Sequence, residues 1–359
     1  MDFPWTILGK GQYNEYSKAR EMDMITRPIL TIAIPTYNGS KTIRNMLNLL
    51  LPQIEDFNKV EVLVSDNCST DNTPQLIEEY QQEYPEIKYV RNRENIKTDG
   101  NILQCCRLAR GKFIWHLSDD DVIIEDALKK IVSFLEENSD VKLVYLTTVD
   151  FRGHYYSLDK CQYHEPLAKS DICTSNKKEF IKFAGYYWGF MSSFISSTDK
   201  ILEMENPEQY KHTYWLQSYL HAWCASGDQT KLGVVVGPCV GAGIYINNPN
   251  FDSSLVNGIY YKRMIDYMIK DCGFDHDQMY KLYFNRLILL GRHDIIKGKA
   301  SGEIRINKRR YFNLTKNSIK AWITVYPLFF IPNFICRMAM SIYRHKKNLS
   351  RKVVTNRPE

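Results

Sequence analysis

A chain of 359 residues with 44% apolar content holds enough material for one large catalytic domain or two smaller ones, and it is too apolar to be a disordered protein. Its net charge of +6 is modest for the length, which excludes a nucleic-acid binder as the reading of the whole chain. Nine cysteines without Cys-x-x-Cys or zinc-type Cys/His spacing exclude a disulfide scaffold or zinc module and read as reduced thiols.

Residues 1–28 carry Lys, Asp and Glu throughout and no apolar signal-peptide core, so they are expected to form an N-terminal extension of a protein that works in the cytoplasm. From Pro28 onward, short β-rich runs alternate with helical patterns. The strands are expected over Ile29–Ile34, Val60–Ser65, Ile87–Val90, Lys112–Leu117 and Val141–Thr147; the helices over Lys41–Leu51, Thr73–Tyr84, Gly100–Arg110 and Val122–Glu137. This order predicts an α/β fold with a mostly parallel sheet flanked by helices. No Gly-x-Gly-x-x-Gly fingerprint and no Walker loop occurs, which argues against dinucleotide binding and P-loop chemistry.

Polar residues gather where the strands end. The first strand runs into Pro35-Thr36-Tyr37-Asn38-Gly39, the second into Asp66-Asn67-Cys68-Ser69-Thr70-Asp71, and the run Lys112–Leu117 into Ser118 and three consecutive aspartates, Asp119, Asp120 and Asp121. Ligands of open α/β sheets bind beyond the carboxyl ends of the strands. Three adjacent carboxylates repel one another unless a cation compensates, and hard oxygen donors suit Mg²⁺ or Mn²⁺. The competing reading is that Ser118 and the aspartates cap the following helix, whose apolar positions are Ile124, Leu128, Ile131 and Leu135.

Between Asp150 and Asn176 the periodicity breaks down, as in a loop or lobe over a site. An aromatic, small-residue stretch follows over Gly185–Ser197, then helical signal near Tyr214–Trp223, a strand over Lys231–Val240, and helices around Tyr260–Lys270 and Gln278–Leu290. From Arg305 onward there are thirteen Lys or Arg residues against the single acid Glu359. Within that basic segment, Ala321–Tyr343 is rich in aromatic and aliphatic residues but is broken by Pro327 and Pro332, so it reads as an amphipathic tail on a membrane surface rather than a span of about 20 apolar residues. The expected domains are thus 1–28, a catalytic domain 29–245 with a nucleotide half 29–150 and an acceptor half 151–245, a helical segment 246–302, and a membrane-associating tail 303–359.

The motifs Ile34-Pro35-Thr36-Tyr37-Asn38, Val64-Ser65-Asp66-Asn67-Cys68-Ser69-Thr70-Asp71 and Ala109 through Asp121, in this order and spacing, resemble those of family 2 glycosyltransferases. The resemblance covers residues 29 to 150 and implies the GT-A fold, a Rossmann-like mixed sheet. It implies that Pro35, Thr36, Tyr37 and Asn38 contact the nucleotide, that Asp66 reads a pyrimidine base (a UDP, dTDP or CDP sugar), and that Asp119 touches ribose or metal-bound water. Asp120 matches the principal metal ligand, with Asp119 and Asp121 beside it. Where many relatives read Asp-Ser-Asp-Asp, this chain has Ser118-Asp119-Asp120-Asp121, a form similar to the branch that builds bacterial O-antigens and capsules, abequosyltransferase-like members included.

The resemblance implies transfer of a hexosyl or deoxyhexosyl group to a glycan acceptor, lipid-linked and presented at the inner face of the membrane, with inversion by a general base in the second half. The Glu-Asp pair expected for that base is missing: the matching neighbourhood runs from His212 to His221. The candidates are Glu205, Glu208, His212 and His221. Trp188, Gly189 and Ser192 are candidate acceptor contacts, and Lys97 and Arg110 stay unassigned. A sugar nucleotidyltransferase and a non-catalytic nucleotide-sugar-binding scaffold are the competing readings; the first lacks its glycine-rich, lysine-bearing loop after strand one.

Overall fold

Apolar side chains alternate with no polar face along Leu30–Thr36 (β1) and Val60–Asp66 (β2), the signature of strands covered on both sides, and both are buried at nearly every position. They pair in parallel from Leu30↔Val60 to Thr36↔Asp66, so the first two motifs emerge side by side at one sheet edge. This computed structural model describes residues 27–151, 161–163, 168–243, 252–302 and 306–342. The extension 1–26, most of the segment 152–167 and the basic tail beyond 342 lie outside the described residues.

The chain continues through α1 (Ile43–Leu50), α2 (Thr73–Glu83), β3 (Lys88–Arg91), α3 (Lys97–Leu108) and β4 (Phe113–His116). Next come β5 (Val122–Ile123), α4 (Ala127–Glu137), β6 (Leu143–Phe151), β7 (Gln162–Tyr163), β8 (Ile172–Thr174) and α5 (Lys177–Ala184), then β9 (Phe194–Ser197), α6 (Thr198–Leu202), α7 (Leu216–Cys224) and β10 (Leu232–Gly243). The sheet order is β3-β2-β1-β4-β9-β6-β10-β5, with β7 on β6 and β8 on β10. β3, β2, β1 and β4 run parallel, β9 inserts antiparallel between β4 and β6, and β6 and β10 are again parallel. The expected mixed, mostly parallel sheet flanked by helices is what forms.

One expectation fails at the third motif. Val122-Ile123 is a strand paired antiparallel with Val240 and Gly241, and the helix begins only at Ala127, after Asp126 at φ 60. The helical period of Ile124, Leu128, Ile131 and Leu135 is real, but the β-branched run Val122-Ile123-Ile124 favours strand. The aspartates therefore cap no helix. β4 and β5 are four strand spacings apart in the sheet, about 19 Å if it were flat. Six residue steps separate His116 from Val122, and Asp121 N–H bonds back to the Ser118 carbonyl at 3.2 Å. A turned segment of that length cannot reach so far, so the sheet curls and carries the aspartate turn over its carboxyl-end edge.

Two compact units divide the chain: residues 1–246 with 267–275, and residues 247–266 with 276–359. In the second, a π-helical turn Ser254–Tyr260 runs into the first part of α8 (Tyr261–Lys270), and α9 (His276–Ser301) is followed by α10 (Lys308–Thr315), α11 (Ile319–Thr324), α12 (Tyr326–Phe330) and α13 (Asn333–Ile342). The helical segment, apart from residues 267–275, and the described part of the basic tail fall in this second unit. Arg310 pairs with Asp252, and Lys299 Nζ donates to the Phe329 carbonyl at 2.7 Å.

Beneath the sheet's other edge, buried Glu61 accepts from Thr31 Oγ1 (2.6 Å), Lys88 Nζ (2.6 Å), Arg110 Nε (2.8 Å) and Arg110 N–H (2.9 Å). Burial works to raise this carboxyl, and Lys88 with the hydrogen bonds outweighs it, so the group titrates below its ordinary range. The clamp ties β1, β2, β3 and the approach to β4 into one register, and it gives Arg110 a structural role. Glu61→Ala should cost about 2–3 kcal/mol, because both cations keep part of their water while Thr31 loses its buried partner. Denaturant unfolding measures this, and an unshifted midpoint would show the clamp to be idle.

Candidate active site

Three loops meet at the carboxyl ends of β1, β2 and β4, and each is held by backbone geometry that its sequence permits. Asn38 adopts φ 55 and Cys68 φ 65, left-handed values that Asn accommodates with little strain. The first two loops are laced together: Asn67 N–H donates to the Thr36 carbonyl (2.9 Å), Asn38 N–H to Ser69 Oγ (2.9 Å), and Thr70 N–H to Asn38 Oδ1 (2.8 Å). Asp71 accepts from Ser40 N–H (3.2 Å) and Oγ (2.7 Å) and from Thr73 N–H (3.0 Å) and Oγ1 (2.5 Å). Burial acts to raise the Asp71 carboxyl, and these four bonds prevail and bring it down to about 2.

Asp66 is fully buried. Its carboxylate accepts from Ser69 N–H (2.8 Å) and Tyr89 OH (2.6 Å), with Arg91 Nε 3.4 Å away. Tyr37, by contrast, is 48% exposed, an aromatic face offered beside that carboxylate's loop. Pro35 is half-buried, Thr36 is buried, and Asn38 is exposed while its amide oxygen is used in lacing.

The three aspartates take three different situations. Asp119 accepts a hydrogen bond from Thr36 Oγ1, which joins the third motif to the first. A Cβ at Gly39 would overlap both partners of that bond, so the glycine is what allows the loops to close. Burial, reinforced by Asp120, pushes the Asp119 carboxyl up to about 7. Between the ordinary value near 4 and about 7, the folded state retains a proton that the unfolded state has lost, so this group subtracts stability as pH rises through that window. Asp120 is half-buried, with Oδ1 accepting from Ser118 Oγ at 2.5 Å. Asp121 is 2% exposed and turned inward: Oδ2 accepts from Ser192 Oγ (2.6 Å) and Oδ1 from Gly243 N–H (2.8 Å). Burial and Asp120 raise it well above the carboxylate range.

Asp121, expected beside the metal, has both oxygens engaged as an anchor of the turn, and among the described residues no three His, Cys, Asp or Glu side chains converge as a ready metal cluster. The oxygen donors that remain, those of Asp119 and Asp120, are of the hard type that Mg²⁺ or Mn²⁺ prefers. Ser192, expected among the acceptor contacts, is taken up by the aspartate turn. It is fully buried and also accepts from Ser118 N–H (3.0 Å), so its hydroxyl holds both ends of the aspartate turn. No sequence signal pairs residues 71 positions apart, so this role was invisible.

Other candidates belong to the core. Trp188 is fully buried, edge-on to Phe180, Phe194 and Phe274, and Gly189 packs against the Trp215 ring where a Cβ would overlap it. His221 is 2% exposed, its ring 4.6 Å from that of Phe194, and burial holds it neutral at about 3, too far down for a base at neutral pH. His212 is exposed at φ 64, held through its backbone N–H on Asp99 (2.7 Å). Glu208 is engaged by Arg107 (2.6 Å) and Lys211, and Glu205 is exposed. A carboxylate that the sequence did not single out, half-buried Asp150, stands at the end of β6 opposite Ala242, next to the residue whose N–H binds Asp121, and accepts from Tyr187 OH at 2.9 Å.

Residues 31–195 match the family model described as glycosyl transferase family 2. Abequosyltransferase RfbV of Salmonella typhimurium is 34% identical over 117 residues, 32% of this chain and 35% of RfbV. The poly(ribitol-phosphate) β-N-acetylglucosaminyltransferase TarS of Staphylococcus aureus is 33% identical over 132 residues, 36% of this chain and 23% of TarS. A Campylobacter jejuni enzyme named GalNAc(5)-diNAcBac-PP-undecaprenol β-1,3-glucosyltransferase is 30% identical over 112 residues, 31% of this chain and 35% of that protein. The aligned stretch spans about a third or less of each relative. Among solved structures, TarS residues 1–349 in complex with UDP-GlcNAc superpose with a TM-score of 0.59 at 16% identity over 79% of each chain, which establishes the GT-A fold.

The Asp71 lacing carries a pH signature. Because its folded value lies below the unfolded one, its stabilisation is complete above about pH 4 and fades as pH falls towards about 2. Asp71→Ala should lower stability by about 1–2 kcal/mol at neutral pH. The gap between wild-type and variant urea midpoints should narrow progressively below pH 4; a gap independent of pH would remove the carboxylate from the account.

Proposed function

The chain belongs to the family 2 glycosyltransferases through its domain at residues 31–195, and from that premise we propose that it moves a hexosyl or deoxyhexosyl group from a nucleoside diphosphate sugar to a lipid-linked glycan in bacterial surface polysaccharide synthesis. One observation carries the reading: the Thr36–Asp119 hydrogen bond closes the first motif on the third, beside buried Asp66 at the end of the neighbouring strand. The lipid-linked acceptor is supported by the Campylobacter relative's name and by the basic, aromatic stretch of the second unit, and it puts the reaction at the inner face of the membrane.

In this reading Tyr37 lies on the base, and Asp66, held in place by Ser69, Tyr89 and Arg91, accepts from a pyrimidine N–H. UDP, dTDP and CDP sugars all satisfy that contact. Asp120 and Asp119 would hold Mg²⁺ or Mn²⁺, which when bound neutralises charge on the departing diphosphate. Asp121 and Ser192 keep those two carboxylates in position. Asp150 takes the proton of the acceptor hydroxyl as its oxygen bonds to the anomeric carbon on the face opposite the diphosphate, and the electron pair of the broken bond leaves with the nucleotide, inverting the centre.

A panel of UDP, dTDP and CDP sugars with Mn²⁺, scored by thermal unfolding, should yield one donor that stabilises the wild type, and Asp120→Ala should lose that stabilisation and at least about 100-fold in kcat. Asp150→Asn should lose turnover while keeping donor-dependent stabilisation. Absence of stabilisation by every donor, or full activity in Asp120→Ala, would overturn the assignment.

A further inference from the structure

In the second unit, α11 with α12 (Ile319–Phe330) and α13 (Asn333–Ile342) meet at a bend of 105° around Ile331 and Pro332. Their inner faces are settled: Ala321, Val325 and Cys336 are buried, Thr315 Oγ1 and Tyr326 OH lie 2.7 Å apart, and Lys299 holds the Phe329 carbonyl. Their outer faces are apolar and bare. Ile319 is 77% exposed, Ile323 70%, Phe330 86% and Phe334 62%. Along the first helix pair the exposed Ile319, Trp322, Ile323 and Phe330, and along α13 the exposed Phe334, Met338 and Ile342, keep the three-and-four spacing of one helical stripe. A soluble surface rarely leaves so many large apolar side chains together.

Charge says what covers them. Lys308, Arg309, Lys316, Lys320 and Arg337 are exposed around the stripes, and residues 306–342 contain no Asp or Glu. A second copy of this face would bring those cations against themselves, since a two-fold interface pairs a patch with its own image. Neither arm reaches across by itself: 12 and 10 residues of helix extend about 18 and 15 Å, against about 30 Å of hydrocarbon, and the 105° bend keeps the two from adding along one axis. Among the described residues no single helix is long and apolar enough to cross a membrane.

We propose that α11–α12 and α13 form an L-shaped anchor that lies in the plane of an anionic phospholipid surface, with Trp322, Ile323, Phe330, Phe334 and Met338 at the level of the first acyl carbons and the lysines and arginines on head-group phosphates. The bend serves this geometry. A straight amphipathic helix rolls about one axis, whereas two apolar stripes at a steep angle fix the orientation of the unit that carries them. The inference rests on the lipid-linked reading of the acceptor, but its test needs neither donor nor acceptor, so the two can fail separately.

Full-length protein is mixed with vesicles of phosphatidylcholine alone or with phosphatidylglycerol added, and binding is read by flotation. Wild type should float with the phosphatidylglycerol vesicles, at least tenfold more strongly than with pure phosphatidylcholine, and should be released by high salt. The pair Ile323→Glu and Phe330→Glu should cut binding at least tenfold with circular dichroism unchanged, and Lys316→Glu with Lys320→Glu should abolish the lipid preference. Should the glutamate pair fail to fold, bromine-labelled acyl chains provide the second measurement: quenching of wild-type emission by shallow labels, lost in Trp322→Phe, is expected. Wild type that stays unbound, a glutamate pair that floats like wild type, absence of shallow quenching, or substitutions that dissolve a dimer without changing flotation would each overturn the proposal.

Discussion

The buried carboxylate of Asp121 is the constraint from which the rest of the site follows. A carboxyl group this deep persists only if both oxygens find donors, and here the donors are Ser192 Oγ and Gly243 N–H, contributed from before β9 and from the end of β10. Satisfying it therefore requires the curl that brings the far, mixed half of the sheet to the end of β4. Ser192 then accepts from Ser118 N–H, so the same hydroxyl fixes the start of the turn. With both ends pinned, Asp119 and Asp120 have few arrangements left, and the bond from Thr36 selects one of them.

That arrangement places like charges together at a cost that burial makes larger. Asp119 is lifted to about 7 and Asp121 is raised as well, while Asp71 a loop away is drawn down to about 2. The difference is one of burial and of donors: Asp119 is the more deeply desolvated and has one hydroxyl and a neighbouring carboxylate, whereas Asp71 has four donors. A cation beside Asp119 would remove most of its penalty, which is how a site of this kind couples ligand binding to stability. Far from that edge, Glu61 solves the opposite problem with two cations and needs no ligand at all.

Legibility in the sequence followed the range of the interactions. The first strands along the chain, the mostly parallel sheet and the three loops were readable because hydrophobic pattern and motif lie within short windows. What failed depended on partners far away in the chain. Val122 and Ile123 fit a helix until their strand partner Val240 is known, and Ser192, Gly189 and Trp188 look like a sugar platform until their burial is seen. His221 is a plausible base by residue type, yet it is enclosed by Phe194 and Trp188 and held neutral. Asp150 carried no motif, and only strand register brings it beside Gly243.

The second unit shows the same logic applied to solvent. Composition in Ala321–Tyr343 pointed to an amphipathic tail, and the two prolines to breaks within it; neither could tell which face the protein itself would cover. The fold covers Ala321, Val325 and Cys336, the small and compact side chains, and leaves Ile323 and Phe330, among the largest, in the open. Burying a large apolar side chain is worth about 1.5–3 kcal/mol, so a fold that spends its inner contacts on small residues forgoes stability it had the means to gain. Such a choice persists in a sequence when another apolar phase recovers that free energy, and the acid-free ring of lysine and arginine around the stripes points to a phase whose surface is negative.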